Sequence, residues 1–384
     1  MSHPYHEVLT GSGTPGPPHG PGGTASDDHG RRQSGPHRAG VVSSILLTAT
    51  FLAIALAAAL TFVGLPYVVL SPGPATNILG DVDGKPLLSV TGADTYPTSG
   101  TLDFTTVHAK GGPGLKVTLY DLVGAWLSGS EEAVPEEQVY APDSSEKQVE
   151  EEGAAEMAES QAVATATALR ALGRTVDQTI VVASVADGSP SAGILEPDDV
   201  LVKVDGDAAT SADAVRAAVR RHQPGDTFPV VVRRGGTERT VTARTGESGG
   251  RTALGIGLRL DYDLPVDVTL RTGNVGGPSA GLLFSLAIYD VLTPGELTGG
   301  KEIAGTGTMS DTGQVGPIGG IRQKLVGAER SGADFFLAPA DNCPEVVGHV
   351  PDGLQVVKVA TFDEGLAAVR SIASGDTASL PSCG

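Results

Sequence analysis

Three stretches of this chain hold residue types at spacings that can do chemistry. The first, Gly295-Glu-Leu-Thr-Gly-Gly300-Lys301-Glu302, nearly fits the phosphate loop GxxxxGK[ST]. Its last position is Glu302, so the hydroxyl that would hold Mg²⁺ is missing and a carboxylate there repels phosphate. No strand is evident before it, and nucleotide binding is not expected. The second, Gly277-Pro278-Ser279-Ala280-Gly281, fits GxSxG, a sharp elbow that exposes a serine nucleophile between strand and helix. That chemistry needs an acid and then a histidine downstream. Only His349 follows Ser279, with Asp334 or Asp341 as the acid, in a remaining stretch of barely 105 residues. The plain alternative for Ser279 is a helix N-cap, worth about 1 kcal/mol.

The third stretch is Gly313-Gln-Val-Gly-Pro317-Ile-Gly-Gly-Ile321-Arg-Gln-Lys324, which places Lys324 45 residues beyond Ser279. A serine hydroxyl is a poor nucleophile until a base takes its proton. A lysine can be that base only when neutral, so burial must lower its pKa. The apolar residues on both sides of Lys324 offer such a setting. The alternative is a surface lysine on the helix IRQKLVGAER. Lysine is almost never buried without reason, so burial of Lys324 would be informative. Together, GPSAG and GxVxPIGGIxxK resemble the proteolytic domain of Lon-type proteases, which use a Ser–Lys dyad. The resemblance implies Ser279 as nucleophile and Lys324 as general base. It also implies a threonine that orients the lysine. Thr306, in Ile303-Ala-Gly-Thr-Gly307, is the carry-over, with Thr308 as the alternative.

The elements that must position these residues can be read around them. Ser279 opens the apolar run SAGLLFSLAIYDVL, which reads as a buried helix with Pro278 in its first turn. The amides of Ser279 and Ala280 would then face a reacting carbonyl and stabilise the oxyanion. Upstream, TIVVASV, a turn, a strand, a helix around SADAVRAAVRRH and a final hairpin run from Thr179 to Arg244. Ser189–Gly193, Leu195, Pro197–Leu201 and Val204–Gly206 resemble a PDZ domain of the kind found in secreted bacterial proteases. Such domains, β-rich partly open barrels with short helices, add an extended peptide to a sheet edge. Gly173–Gln178 is the candidate carboxylate loop.

Further upstream, PLLSV, TLDFTTV and LKVTLYDLV read as strands within 86–125. Glu131–Glu159 holds eleven acids and one base, and reads as a solvated loop and helix face. It passes into AAEMAESQAVATATALRALG, a helix ended by Gly173. Gly100–Thr106, Gly111-Gly112, Leu115–Leu119 and Ala158–Ala164 resemble the opening of the Lon-type domain, and Val266–Arg271 reads as the strand leading to the serine. The PDZ unit then interrupts the protease domain. The simpler alternative is a linear order, and the two differ in whether 86–172 pack against 266–373.

The chain has 384 residues, 26 Lys+Arg and 45 Asp+Glu, and a net charge of −19. Residues 39–80 carry no charge, and 1–40 balance three bases against three acids, so the −19 belongs to residues 81–384. The acidic balance argues against nucleic acid as the main partner. Two cysteines exclude a disulfide-rich scaffold and a Cys-based zinc cluster. Cys343 and Cys383 are open to either reading, paired or free. Residues 1–40, rich in Gly, Pro, Ser and His, read as a disordered tail. Val41–Val63 holds 23 uncharged residues, about 34 Å as a helix and enough for a bilayer core of about 30 Å. Arg31, Arg32 and Arg38 precede it, so the tail is expected in the cytoplasm and the bulk outside the cell membrane.

The expected architecture is α+β: tail 1–40, membrane helix 41–65, a β region with an acidic helix over 72–172, PDZ 175–262, catalytic domain 266–375 and tail 376–384. The expected function is an ATP-independent, membrane-anchored serine endopeptidase acting on unfolded or flexible protein segments, with the PDZ unit binding peptide ends. No cofactor, metal, nucleotide or nucleic acid is expected. Rings are common in the family, which leaves a homo-oligomer open. The rivals are a non-catalytic PDZ receptor or scaffold, and an α/β-hydrolase-like Ser–His enzyme using His349.

Overall fold

In the computed structural model, residues 37–60 and 63–384 are described. Most of the expected tail falls outside them, while His37–Gly40 already belong to helix α1, His37–Leu60. Apolar side chains of α1 between Val42 and Leu56 stand exposed, Phe51 and Leu47 among them. Among the described residues no helix is long and apolar enough to cross a membrane, so the fold does not itself establish the expected span. The chain divides after Ala58 into two compact units, and the second carries the candidate site.

In chain order the second unit holds β1 (Tyr67–Asn77), β2 (Leu88–Thr91), β3 (Thr101–Lys110), α2 (Leu119–Ser128), β4 (Glu132–Pro135), α3 (Glu146–Ala171), β5 (Asp177–Val185), β6 (Val200–Val204) and α4 (Ala212–Arg220). There follow β7 (Thr227–Arg234), β8 (Thr237–Arg244), β9 (Ile256–Asp263), β10 (Asp267–Leu270), α5 (Gly281–Val291) and β11 (Glu302–Gly305). The last elements are α6 (Ile321–Ser331), β12 (Phe335–Pro339), β13 (Gln355–Val359) and α7 (Phe362–Ser374). One sheet has the order β13-β12-β11-β3-β1-β4 and the other β8-β7-β6-β5-β9.

The first sheet draws its strands from both sides of the second. β11 runs parallel to β3, with Ile303 opposite Leu102 and Ala304 opposite Asp103. β10 pairs antiparallel with β2. Residues 86–172 therefore pack against 266–373. One core joins Ile78, Leu102, Met157 and Leu169 to Leu282, Phe284, Leu337 and Val369. The second sheet closes its own core around Ile180, Leu201, Val215, Phe228 and Val230. Its first and last strands pair, with Asp177 opposite Asp263, so the chain enters and leaves it at one place.

Local chemistry sets most boundaries. Ser145 and Gln148 form a reciprocal capping box at the start of α3. Gly173, at φ 74°, follows its C-cap as expected. The expected strand over 115–123 is a correction. Thr118 and Asp121 form a capping box that starts α2 there. Leu119, Leu122, Val123 and Trp126 then recur at helical spacing, and only Val117 keeps a bridge, to Leu65. Within the acidic run, Glu132–Pro135 forms β4 against β1, while Glu150, Glu151 and Glu152 are exposed on α3.

Candidate active site

α3, α5, α6 and the residues after β11 converge on Ser279. α5 starts at Gly281, and its N-cap position is Ala280 with no side-chain cap bond. Ser279 is therefore not a capping serine, and Pro278 lies before the helix rather than in its first turn. α3 holds this segment in place. The Gly277 amide donates to the Gly153 carbonyl at 3.0 Å, and Ser160 Oγ donates to the Pro278 carbonyl at 3.1 Å. A Cβ on Gly276 would lie 3.2 Å from the Gly153 backbone, so the contact requires glycine or a shift. The amides of Ser279 and Ala280 donate to no protein acceptor among the described residues.

Lys324 comes from the first turn of α6. Gly320 precedes that helix at φ 68°, and a Cβ there would meet Val107 of β3 at 2.8 Å. Only a residue without a side chain lets α6 start this close to the sheet. Lys324 is then 2% exposed. Its Nζ lies 2.7 Å from Ser279 Oγ and 2.9 Å from Thr306 Oγ1. Thr306, fully buried just past β11, donates its hydroxyl proton to the Ser279 carbonyl at 2.9 Å. Burial pushes the Lys324 ammonium down from 10.5 to about 7. The surface-lysine alternative does not hold.

The other candidates lie apart. Thr308 sits in a short ladder opposite Gly316, and Lys324 bonds Thr306 instead. His349 is exposed, and its Nδ1 meets the Val347 carbonyl at 3.2 Å rather than the serine. Gly295–Glu302 runs into β11, so the loop opens no helix N-terminus for phosphate. Cys343 and Cys383 are joined as a disulfide that ties the C-terminal tail back to the short helix Cys343–Val346 after β12.

A cleft of about 440 Å³ lies over Ser279, lined by Thr106, His108, Met157, Asn274 and Lys324. β11 pairs with β3 only up to Phe104. Beyond that point the β11 side of β3, over Thr105–His108, borders the cleft.

A second cavity, about 650 Å³, lies between α4 and the start of β9. Val215, Val219, Leu254, Ile256 and Leu258 give it apolar walls, and Arg216, Arg220 and Arg251 line it as well. β9 is an edge strand. The candidate carboxylate loop, Gly173–Gln178, does not line this groove. Gln178 is tied up elsewhere, accepting from Arg170 at 2.7 Å and donating to the Thr210 carbonyl at 2.6 Å. The signal that could have found the groove is Leu254-Gly-Ile-Gly-Leu258, apolar residues alternating with glycines. The groove helix also touches the catalytic side of the molecule. Asp311, between Thr306 and Lys324 in sequence, accepts from the Ala212 amide at the start of α4 at 3.0 Å.

Comparisons with known proteins agree with both halves. Residues 262–370 match the Lon protease (S16) C-terminal proteolytic domain, and residues 157–245 match the PDZ domain. The Lon protease of Azospirillum brasilense is 37% identical over 128 residues, 32% of this chain and 16% of that protein. Lon protease 1 of Bacillus subtilis is 32% identical over 108 residues, 27% of this chain and 14% of that protein. The chain thus spans under a fifth of the length of these relatives. Among solved structures, the PDZ domain of an SdrC-like protein from Listeria monocytogenes aligns at 25% identity. It covers 21% of this chain and 85% of that one at a TM-score of 0.20, too low to carry an argument. The chain is thus similar to the Lon protease C-terminal proteolytic domain over 262–370 and to the PDZ domain over 157–245.

Proposed function

We propose that this protein is a serine endopeptidase in which Ser279 is the nucleophile, Lys324 the general base and Thr306 the residue that orients the base. One observation carries the reading: a lysine buried beside Ser279 Oγ at 2.7 Å, with its pKa brought down to about 7 by burial. Such an amine is largely neutral just above neutral pH and can accept a proton. Thr306 supports this role. Its single hydrogen is committed to the Ser279 carbonyl, so towards Lys324 it can only accept. One N–H of the neutral amine then points at Thr306, which leaves the lone pair for the serine proton.

Ser279 Oγ attacks the scissile carbonyl carbon as its proton passes to Lys324 Nζ. The amides of Ser279 and Ala280 receive the oxyanion. The ammonium of Lys324 returns the proton to the leaving amine, and an acyl-serine ester remains. A water then attacks the ester, with Lys324 taking its proton and giving it back to Ser279. An extended peptide lying along the open side of β3 would reach the serine, which favours unfolded or flexible segments as substrates.

The same reading takes residues 72–172 and 266–375 as one proteolytic domain interrupted by the PDZ unit at 175–262. The PDZ groove takes a peptide end against β9, its arginines favouring a carboxylate. Gly295–Glu302 enters a strand rather than opening a helix, which supports a reaction without ATP. The uncharged stretch 39–80 and the exposed apolar side chains of α1 support a single membrane anchor, N-terminus in the cytoplasm and bulk outside. The test is cleavage of a fluorescent unfolded protein by the purified chain. Ser279→Ala is expected to lower turnover by roughly 10⁴-fold or more. Activity that survives this change but is lost with His349→Ala would overturn the dyad. A wild type that cuts nothing would favour a PDZ scaffold.

A further inference from the structure

The face of α2 away from the sheet is apolar and uncovered. Trp126 is 82% exposed, Leu127 70%, Leu115 59%, Val123 46% and Leu119 42%. Leu119, Val123, Trp126 and Leu127 recur at spacings of three and four along α2, so they form one stripe, and Leu115 stands just before its first turn. The other side of α2 is seated, with Ala125 and Leu122 packed on Val69 and Val117. The one charged residue of the helix, Asp121, caps its N-terminus and pairs with Lys110 at 2.6 Å. An apolar helix face that includes the chain's single tryptophan needs an occupant.

Chain connectivity points to which one. The uncharged apolar stretch runs to Val63. Two residues later, the Leu65 amide donates to the Val117 carbonyl at 2.8 Å, and Gly64 lies against the Lys116 side chain. α2 begins two residues beyond Val117 and is ten residues long, about 15 Å. Whatever holds residue 63 therefore holds α2 beside it. If the preceding stretch is a membrane anchor, the tether keeps this face at the bilayer surface whether the protein is a monomer or an oligomer. Tryptophan favours the headgroup region, where an apolar body and a polar N–H are both accommodated.

We infer that α2 lies in the membrane–water interface, with Leu119, Val123, Trp126 and Leu127 among the upper acyl chains. This rests on the membrane-anchor reading above. Its consequence is geometric. α2 is seated beside β1, whose neighbour β3 lines the cleft, so the cleft would be held at a fixed tilt close to the lipid surface rather than swinging on a tether.

The full chain reconstituted into phosphatidylcholine vesicles tests this, because Trp126 reports alone. Its emission is expected to shift to the blue, to be quenched by lipids brominated in the upper acyl chain, and to resist aqueous iodide. Val123→Ser with Leu127→Ser is expected to reduce the bromolipid quenching and admit iodide. Flotation with the vesicles after alkaline carbonate washing reads the anchor separately. Flotation retained with Trp126 open to iodide and untouched by bromolipid overturns this inference alone. A blue-shifted Trp126 that bromolipid does not quench overturns it in favour of a second copy of the chain. Loss of flotation overturns the anchor and this inference together.

Discussion

Lys324 and Asp199 are both buried ionisable groups, and the protein treats them in opposite ways. Asp199, fully buried in the PDZ unit, meets Arg234 through two bonds of 2.7 Å. It also accepts from the Glu196 amide at 3.0 Å. Although burial works against it, these partners hold its pKa below the ordinary carboxylate value. It stays charged and fastens the segment before β6 to the end of β7. Lys324 has two hydroxyls and no carboxylate at hand. Nothing offsets its desolvation, so it sheds its charge instead. A paired buried charge is a structural rivet, while an unpaired one becomes a base.

The sharpest break of this comparison is Lys324→Met. Turnover is expected to fall roughly 10⁴-fold or more, while thermal unfolding shows the fold intact or more stable. The sign follows from the depressed pKa. The lysine is unfavourable to the fold wherever the unfolded chain holds its proton, because the folded chain must then either bury the charge or give the proton up. That penalty is full below about pH 7 and fades as pH rises towards the unfolded value of 10.5. The stability gain of Lys324→Met should therefore shrink with rising pH across that window. A large loss of stability at neutral pH would show that the lysine is structural after all.

Asp199→Ala should behave in the reverse way, lowering stability by about 3 kcal/mol in denaturant unfolding because Arg234 loses two bonds and keeps only Glu196 and the Ile194 carbonyl. Cleavage by the folded fraction should persist. Thr306→Val keeps the volume near the lysine but removes the acceptor. It should lower turnover about tenfold to a hundredfold, the worth of one buried hydrogen bond of about 1–3 kcal/mol. Its stability change should be small beside that of Asp199→Ala. The mildest expectation is the wild-type pH profile, with kcat/KM rising as pH passes through about 7. A flat profile would detach the low lysine pKa from the chemistry.

The residues of the candidate site were legible in the sequence to different degrees. Ser279 and Lys324 lay in two motifs whose joint spacing was informative. Thr306 came only through the family resemblance. Gly153 and Ser160, which hold the serine segment, were hidden because their partners lie over 100 residues away and are backbone groups. The start of α2 resembles a strand in sequence because apolar residues at 115–123 alternate, and it is the Thr118–Asp121 box that marks a helix start. The groove between α4 and β9 is hidden for a different reason. Its walls come from α4 and β9, and Leu254–Leu258 marks only one of them, so the sequence does not show that the two walls face each other.

The pairing of Asp177 with Asp263 has a consequence for how the chain assembles. Thr105 and Gly305, bonded across β3 and β11, are 200 residues apart. Closing that loop with the PDZ unit unfolded costs only about 0.5 kcal/mol more than closing it once the unit has tied its ends together. Loop entropy grows so slowly that an interruption of this size is nearly free to the catalytic sheet. The two cores can therefore form in either order, and a PDZ unit weakened by mutation should slow completion of the catalytic sheet by little more than twofold.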